Sequence, residues 1–173
     1  MPPNQNPEQI ARDNIDGLLK ASGWRVQNKS RIDLSDGLGQ AVREYQTDAG
    51  PADYVLFVNK KAVGVIEAKR KNKGENITTV EEQTEGYASA NLKWVNNKEP
   101  LPFLYESTGI ITRFTDGRDP KPRSREVFTF HRPETLIEWL EQGSSLRARL
   151  NDIPLLNPTN LPAKELGLRD CQE

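Results

Sequence analysis

The chain has 173 residues, a length typical of one compact domain with a substantial hydrophobic core. Its 24 Lys and Arg residues balance 25 Asp and Glu residues, which excludes a protein-wide basic field, so any site for a polyanion must be local. The single cysteine, Cys171, excludes an internal disulfide framework, and without a signal peptide or a membrane-spanning run the sequence predicts a soluble, cytoplasmic protein.

The first half of the chain predicts one helix followed by strands. A helical stripe of apolar residues indicates a helix from about residue 7 to 22, with Gly23 placed to end it. Short strands are expected at 24–26 and 40–47, and Gly50-Pro51 is expected to break the second one, with the next strand beginning at Ala52 or Asp53.

Two apolar runs, DYVLFV (53–58) and AVGVIEA (62–68), follow with the spacing of a β-hairpin. Both faces of both runs are apolar, which predicts that helices cover the hairpin on both sides. One face is expected to hold Val55, Phe57, Val63 and Val65, and the other Tyr54, Leu56, Val58 and Ile66. The pattern indicates an α/β fold.

The second half predicts a helix over about residues 79–92, strands near 101–107, 109–115 and 127–130, and a helix over 133–142. We expect the strands to form a mixed sheet of four to six strands between helices. Residues 1–143 are predicted to be one domain. Residues 144–173 are predicted to be a linker, in which 144–150 could make two helical turns before a proline-rich stretch.

Three charged residues converge if the two apolar runs pair antiparallel across a three-residue loop, 59–61, with Val58 facing Ala62. Asp53 then lies opposite Glu67, and Lys69 follows two residues further on the same face. A slip of one residue would place the two carboxylates on opposite faces, so this pairing requires a loop of odd length or a β-bulge.

Two close carboxylates need positive charge between them, and Lys69 or a divalent cation would supply it. Mg²⁺ takes one or two carboxylates together with phosphate oxygens, so Asp53, Glu67 and the Ala68 carbonyl are candidate ligands. Lys69 would orient the attacking water or offset negative charge. Removal of either carboxylate is expected to leave the fold intact or slightly more stable. The alternative is a solvated strand edge or a simple ion pair.

The stretch PADYVLFVNKKAVGVIEAKR resembles the PD-(D/E)xK nuclease motif, with Asp53 in one half and Glu67-Ala68-Lys69 in the other. Its departure from the motif is Ala52, which separates Pro51 from Asp53. Gln83 and Tyr87 are similar to the Gln-x-x-x-Tyr element of RecB-like nucleases and of the restriction subunit of type I restriction-modification enzymes. The resemblance to that subunit extends over about residues 8–141.

This resemblance implies a restriction-endonuclease-like α/β core and a Mg²⁺-dependent DNA endonuclease. The catalytic residues it implies are Asp53, Glu67, Lys69, Gln83 and Tyr87. In related nucleases a glutamate of the first helix joins the metal site, and Glu8 is the matching residue. Glu8 is equally explained as a first-turn acid that the helix dipole stabilises.

Two local basic clusters could hold DNA phosphates beside such a site. They comprise Lys69, Arg70, Lys71 and Lys73 in the first cluster, and Arg123 and Arg125 in the second. A solvated charge run is the alternative for the second cluster. His131 is the only histidine and is expected at the start of a helix rather than in a catalytic pair.

The terminal GLRDCQE resembles the segment of superfamily 2 helicase motors whose glutamine reads adenine, here Gln172. No GxxxxGK[ST] loop occurs, so we expect a fragment that ends where the ATP-hydrolysing motor begins. The resemblance implies double-stranded DNA, a methyltransferase subunit and a specificity subunit as partners, with ATP used by the full-length subunit. Alternatives are a RecB-like or junction-resolving nuclease of another system, and a catalytically inactive docking module with the nuclease fold.

Overall fold

The computed structural model describes residues 7–48, 50–69 and 100–153. Within these ranges the elements are α1 (Pro7–Ala21), β1 (Arg25–Asn28), β2 (Gly39–Thr47), β3 (Gly50–Val58), β4 (Lys61–Ala68), β5 (Phe103–Ser107), β6 (Thr112–Asp116), β7 (Arg125–Val127), α2 (Pro133–Glu141) and α3 (Leu146–Asn151). No helix in the described ranges is long and apolar enough to cross a membrane.

The seven strands form one mixed sheet whose spatial order follows the chain, from β1 to β7. The β1–β2 and β4–β5 pairs are parallel, and the other four pairs are antiparallel. The predicted mixed α/β sheet is confirmed. The expected number of four to six strands is wrong, because even the short outer strands β1 and β7 pair with their neighbours.

The β3–β4 hairpin turns through two residues and not three. Asn59 and Lys60 both have positive φ, 48° and 66°, which matches the twist of the flanking strands, and Val58 pairs with Lys61. The register then shifts between Leu56 and Phe57, because the pairing skips Val63. The bulge moves Val63 into the core cluster of Tyr54, Leu56 and Ile66, not onto the face of Val55 as predicted.

The sheet separates two hydrophobic cores. One lies beneath α1 and α2, where Ile15, Leu19 and Leu136 pack against strand residues. The other lies on the opposite face, where Val55 and Phe57 pack with residues that include Leu101 and Leu104. The prediction of helices on both faces depends on the 79–92 segment, which lies outside the described residues.

The boundaries of several elements differ from the predicted ones, those of β3 and β7 among them. The strand β3 begins at Gly50, because this glycine adopts a φ of 119° that lets the chain turn directly into the new strand. The strand β7 ends at Val127, since Phe128 is fully exposed while Phe130 is buried. The helix α3 lies in the predicted linker where two turns were expected, and the boundary at 143 stays a prediction.

Candidate active site at the ends of two strands

The bulge in the hairpin brings Asp53 and Glu67 together. Pairing from the two-residue turn alone would align Asp53 with Ile66, but the extra residue shifts the register so that Tyr54 pairs with Ile66. Continued by one residue, this register places Asp53 opposite Glu67. The sequence argument required an odd loop or a bulge, and the chain has the bulge.

Lys69 directly follows β4 and is held in two places. Its ammonium lies 3.3 Å from Glu67 Oε1, and its amide donates to the Ser107 carbonyl at 2.8 Å. The Lys69 side chain is 9% exposed, which is low for a lysine. A buried ammonium needs a partner, so the Glu67 carboxylate fixes Lys69 at the end of the strand.

Asp53 is the acceptor of two hydrogen bonds that the sequence did not reveal. Arg12 of α1 donates from Nη2 to Asp53 Oδ1 at 2.8 Å. The amide of Ala68 donates to Asp53 Oδ2 at 2.9 Å, beyond the last backbone pair of the hairpin. The aspartate therefore ties the end of β4 to the first helix.

Glu67 is a partly buried acid with a second carboxylate beside it, and both features affect its pKa. Burial raises the pKa of Glu67 above its ordinary value, and the neighbouring Asp53 carboxylate raises it further, while Lys69 opposes both. Within residues 7–48, 50–69 and 100–153, no three His, Cys, Asp or Glu side chains lie close enough to hold a metal ion together. Among the predicted site residues, the described part of the chain offers two carboxylates, a lysine and backbone carbonyls.

A pocket of about 200 Å³ opens beside Asp53, on the side of α1. It is lined by Gln9, Arg12, Asp16, Asn28, Arg43, Glu44, Asp53 and Tyr54. Tyr54 donates its hydroxyl proton to Asp16 at 2.8 Å, and burial raises the pKa of Tyr54 to about 12. Arg43 also pairs with Asp16, so α1 is fastened to the sheet beside the site.

The structure places Arg125 of the second basic cluster on the face of the sheet opposite Glu67. Arg125 pairs with Phe114 across β6 and β7, and its guanidinium lies 5.1 Å from the centre of that ring. Strand alternation puts Arg125 on the face of Ile66, opposite the face of Glu67. Arg123 is exposed in the preceding loop. The roles of Arg123 and Arg125 in DNA binding stay predictions.

Several predicted site residues lie outside the described side chains of the structure. Glu8 lies in α1, but only its backbone is described. The residues that lie outside the described ranges are Arg70, Lys71, Lys73, Gln83, Tyr87 and Gln172. Their roles stay predictions, as do those of the other site residues.

Sequence reasoning missed three charged residues at the site. Arg12 and Glu44 contact one another and line the pocket, and Glu106 pairs with Glu67 across the parallel β4–β5 ladder. A charge within an amphipathic helix carries no signal of its target strand, so Arg12 could not be found. Glu106 had a signal, since an acid within the apolar run FLYES is unusual for a buried strand.

Comparison with known proteins relates the chain to a protein family. The family model described as the second domain of the type I restriction enzyme EcoKI endonuclease subunit matches residues 25–105. The type I restriction enzyme EcoKI endonuclease subunit of Escherichia coli (strain K12) is 29% identical to the chain, over 96% of the chain. The chain spans 18% of that relative's length.

A solved structure shares the fold. It is a fragment described as an HsdR subunit of a type I restriction enzyme from Vibrio vulnificus YJ016, with a TM-score of 0.53 and 20% identity. The similarity covers 79% of the chain and 25% of that structure. At this identity the match supports the arrangement of helices and strands, and not the chemistry of the site.

Proposed function

Because the chain belongs to the endonuclease subunits of type I restriction enzymes, we propose that it carries the DNA-cutting site of its subunit, built on a PD-(D/E)xK core. The observation that supports this proposal is the convergence of Asp53, Glu67 and Lys69 at the ends of β3 and β4. A structural ion pair explains Glu67 and Lys69, but it gives no reason for a second carboxylate that raises the pKa of the first.

The donor set fits a hard divalent cation. Asp53 and Glu67 are adjacent carboxylates that repel one another, and Mg²⁺ commonly binds one or two carboxylates while phosphate oxygens and water fill its other positions. Asp53, Glu67 and the Ala68 carbonyl would hold it, with Glu8 as a further candidate. When bound, such an ion acidifies water and offsets charge on a phosphodiester.

The residues of the chain have separate tasks in this proposal. Lys69, fixed by Glu67, orients the attacking water through a hydrogen bond or lies beside the scissile phosphate, where its positive charge offsets the negative charge that develops. Gln83 orients the same water through its amide, and Tyr87 packs beneath Gln83. The phosphates that flank the cut would be held by Arg70, Lys71, Lys73 and Arg123.

The rest of the subunit supplies DNA movement in this proposal. The full-length subunit hydrolyses ATP, with Gln172 near the adenine, and assembles with methyltransferase and specificity subunits on double-stranded DNA. Cleavage then follows translocation, because the cutting site acts on DNA that the motor delivers.

Replacement of Lys69 by Ala tests the proposal in the assembled enzyme. We expect Lys69→Ala to abolish nicking of supercoiled DNA with Mg²⁺ while ATP hydrolysis stays near the wild-type rate, since Lys69 serves only the phosphodiester chemistry. Lys61→Ala is the matched control, because Lys61 is an exposed lysine at the other end of β4. Cleavage that survives in Lys69→Ala would remove the basis of the assignment.

A further inference from the structure

Arg12 lies between two carboxylates on neighbouring strands. Its Nη2 contacts Asp53 Oδ1 at 2.8 Å, and its Nη1 contacts Glu44 Oε1 at 3.3 Å. Glu44 in turn contacts the Lys29 ammonium at 3.0 Å. The guanidinium thus bridges a candidate metal ligand and an acid for which the proposed function has no use.

The two carboxylates differ in their surroundings. The Asp53 side chain is 16% exposed, whereas those of Arg12 and Glu44 are 38% and 44% exposed. The Arg12 side chain is therefore free to shift toward solvent while its helix stays in place. The helix is anchored by buried Ile15 and by the Asp16 contact to Tyr54.

A divalent cation and the guanidinium cannot share Asp53 at no cost. Both are positive, and the second Asp53 oxygen already accepts the Ala68 amide. Unit charges a few ångströms apart interact appreciably even in a partly solvated site, and a divalent ion doubles the repulsion. A cation that binds Asp53 must therefore act against Arg12, and Glu44 offers Arg12 a second carboxylate at a distance it already reaches.

We propose that Arg12 is the resident counter-cation of Asp53, which passes to Glu44 when a divalent cation binds, so that Arg12 sets the metal affinity of the site. This inference rests on the proposed function, because it takes Asp53 as a metal ligand. It assigns Arg12 a role that acts through Asp53, as a competitor of the metal ion for that carboxylate.

The opposite role gives the opposite result, which makes the inference testable. If Arg12 served mainly to orient Asp53 for the metal, its loss would weaken metal binding, as loss of a residue that orients a ligand does, by about 10- to 100-fold. If Arg12 competes with the metal, its loss strengthens binding.

Calorimetric titration of the 173-residue chain with Mg²⁺ alone distinguishes the two roles. We expect Arg12→Gln to bind Mg²⁺ about tenfold more tightly than the wild type, because one positive charge has left the site. Glu44→Gln should bind more weakly, since Arg12 then has no second carboxylate. Lys20→Gln is the control that removes the same charge from an exposed position of the same helix.

The outcomes that would contradict the inference are specific. Mg²⁺ affinity in Arg12→Gln that equals or falls below that of the wild type would overturn the inference. Unchanged or tighter Mg²⁺ binding in Glu44→Gln would overturn it as well. The Glu44→Gln variant alone tests the inference if Arg12→Gln does not fold. Asp53→Asn and Glu67→Gln report on the proposed function separately. If the wild type binds no Mg²⁺, or if these two variants bind it normally, the proposed function fails and the inference fails with it.

Discussion

Loss of the Asp53 carboxylate is expected to destabilise the fold, against the argument from repulsion alone. Two hydrogen bonds end on this side chain, from Arg12 and from the Ala68 amide. The sequence alone predicted that removal of one of two close carboxylates leaves the fold intact or slightly more stable, because repulsion from Glu67 is relieved. The two contacts oppose that relief, so the sign depends on their sizes.

The magnitudes favour destabilisation. The Arg12 side chain is 38% exposed, so its ion pair contributes only about 0.5 kcal/mol after solvent screening. An Ala68 amide left without its acceptor costs about 1–3 kcal/mol. Relief of the repulsion with Glu67 returns about 1 kcal/mol at most. We therefore expect Asp53→Ala to lose about 1–2 kcal/mol, whereas Asp53→Asn, which keeps an acceptor oxygen for the amide, should lose less than about 1 kcal/mol.

Urea unfolding at neutral pH measures the difference between the two variants. With a slope of about 2 kcal/mol per molar urea, a loss of 1.5 kcal/mol lowers the midpoint by about 0.75 M. Metal titration of the same samples should show no Mg²⁺ binding in either variant. If Asp53→Ala unfolds at the wild-type midpoint or above, the Ala68 amide does not depend on Asp53 and the reasoning is refuted.

Two further predictions concern the core. Burial, and then the positive charge of Arg125, lower the pKa of His131 below its ordinary 6.5, because the folded state favours the neutral imidazole. The free energy of unfolding therefore contains a contribution from neutral His131 that is complete above pH 6.5. This contribution is lost as the pH falls through the lowered pKa of the folded state. His131→Gln should remove this loss from urea midpoints measured between about pH 7 and 5.5, and a slope that persists would contradict it, because the chain has no other histidine. Gly64→Ala should destabilise by about 1–3 kcal/mol, since a Cβ there would lie 2.4 Å from the Phe103 carbonyl oxygen. In the same assay Gly17→Ala, with nothing within 4 Å, should stabilise by about 0.5–1 kcal/mol, and equal effects would refute the steric argument.

The hairpin illustrates what periodicity can predict and what it cannot. The apolar runs give the strands β3 and β4 because alternation and length depend on local sequence alone. The bulge adjoins a contact between distant segments, because Gly64, next to the skipped Val63, lies so close to the Phe103 carbonyl that only glycine fits there. Because β5 follows in the chain after a long connection, no local pattern shows which residue of β4 leaves the ladder.

The site itself was predictable only as far as chain neighbours determine it. Glu67 and Lys69 are two residues apart, and their pairing follows from strand geometry. Asp53 joins them once the register is right. Arg12 comes from a helix whose crossing point over the sheet is set by the packing of Ile15 and its neighbours, and this tertiary placement has no signature near Asp53.

The charge balance at this site bears on how a nuclease would be kept idle away from DNA. Asp53 and Glu67 each have a cationic partner, Arg12 and Lys69, so these four groups taken by themselves sum to zero charge. A divalent ion would bring an excess of two positive charges. Transfer of Arg12 to Glu44 relieves part of this excess, and the phosphodiester backbone of a bound substrate offsets more of it. Under the proposed function, metal and DNA therefore favour one another's binding, and the negative charge that completes the site comes from the DNA to be cut.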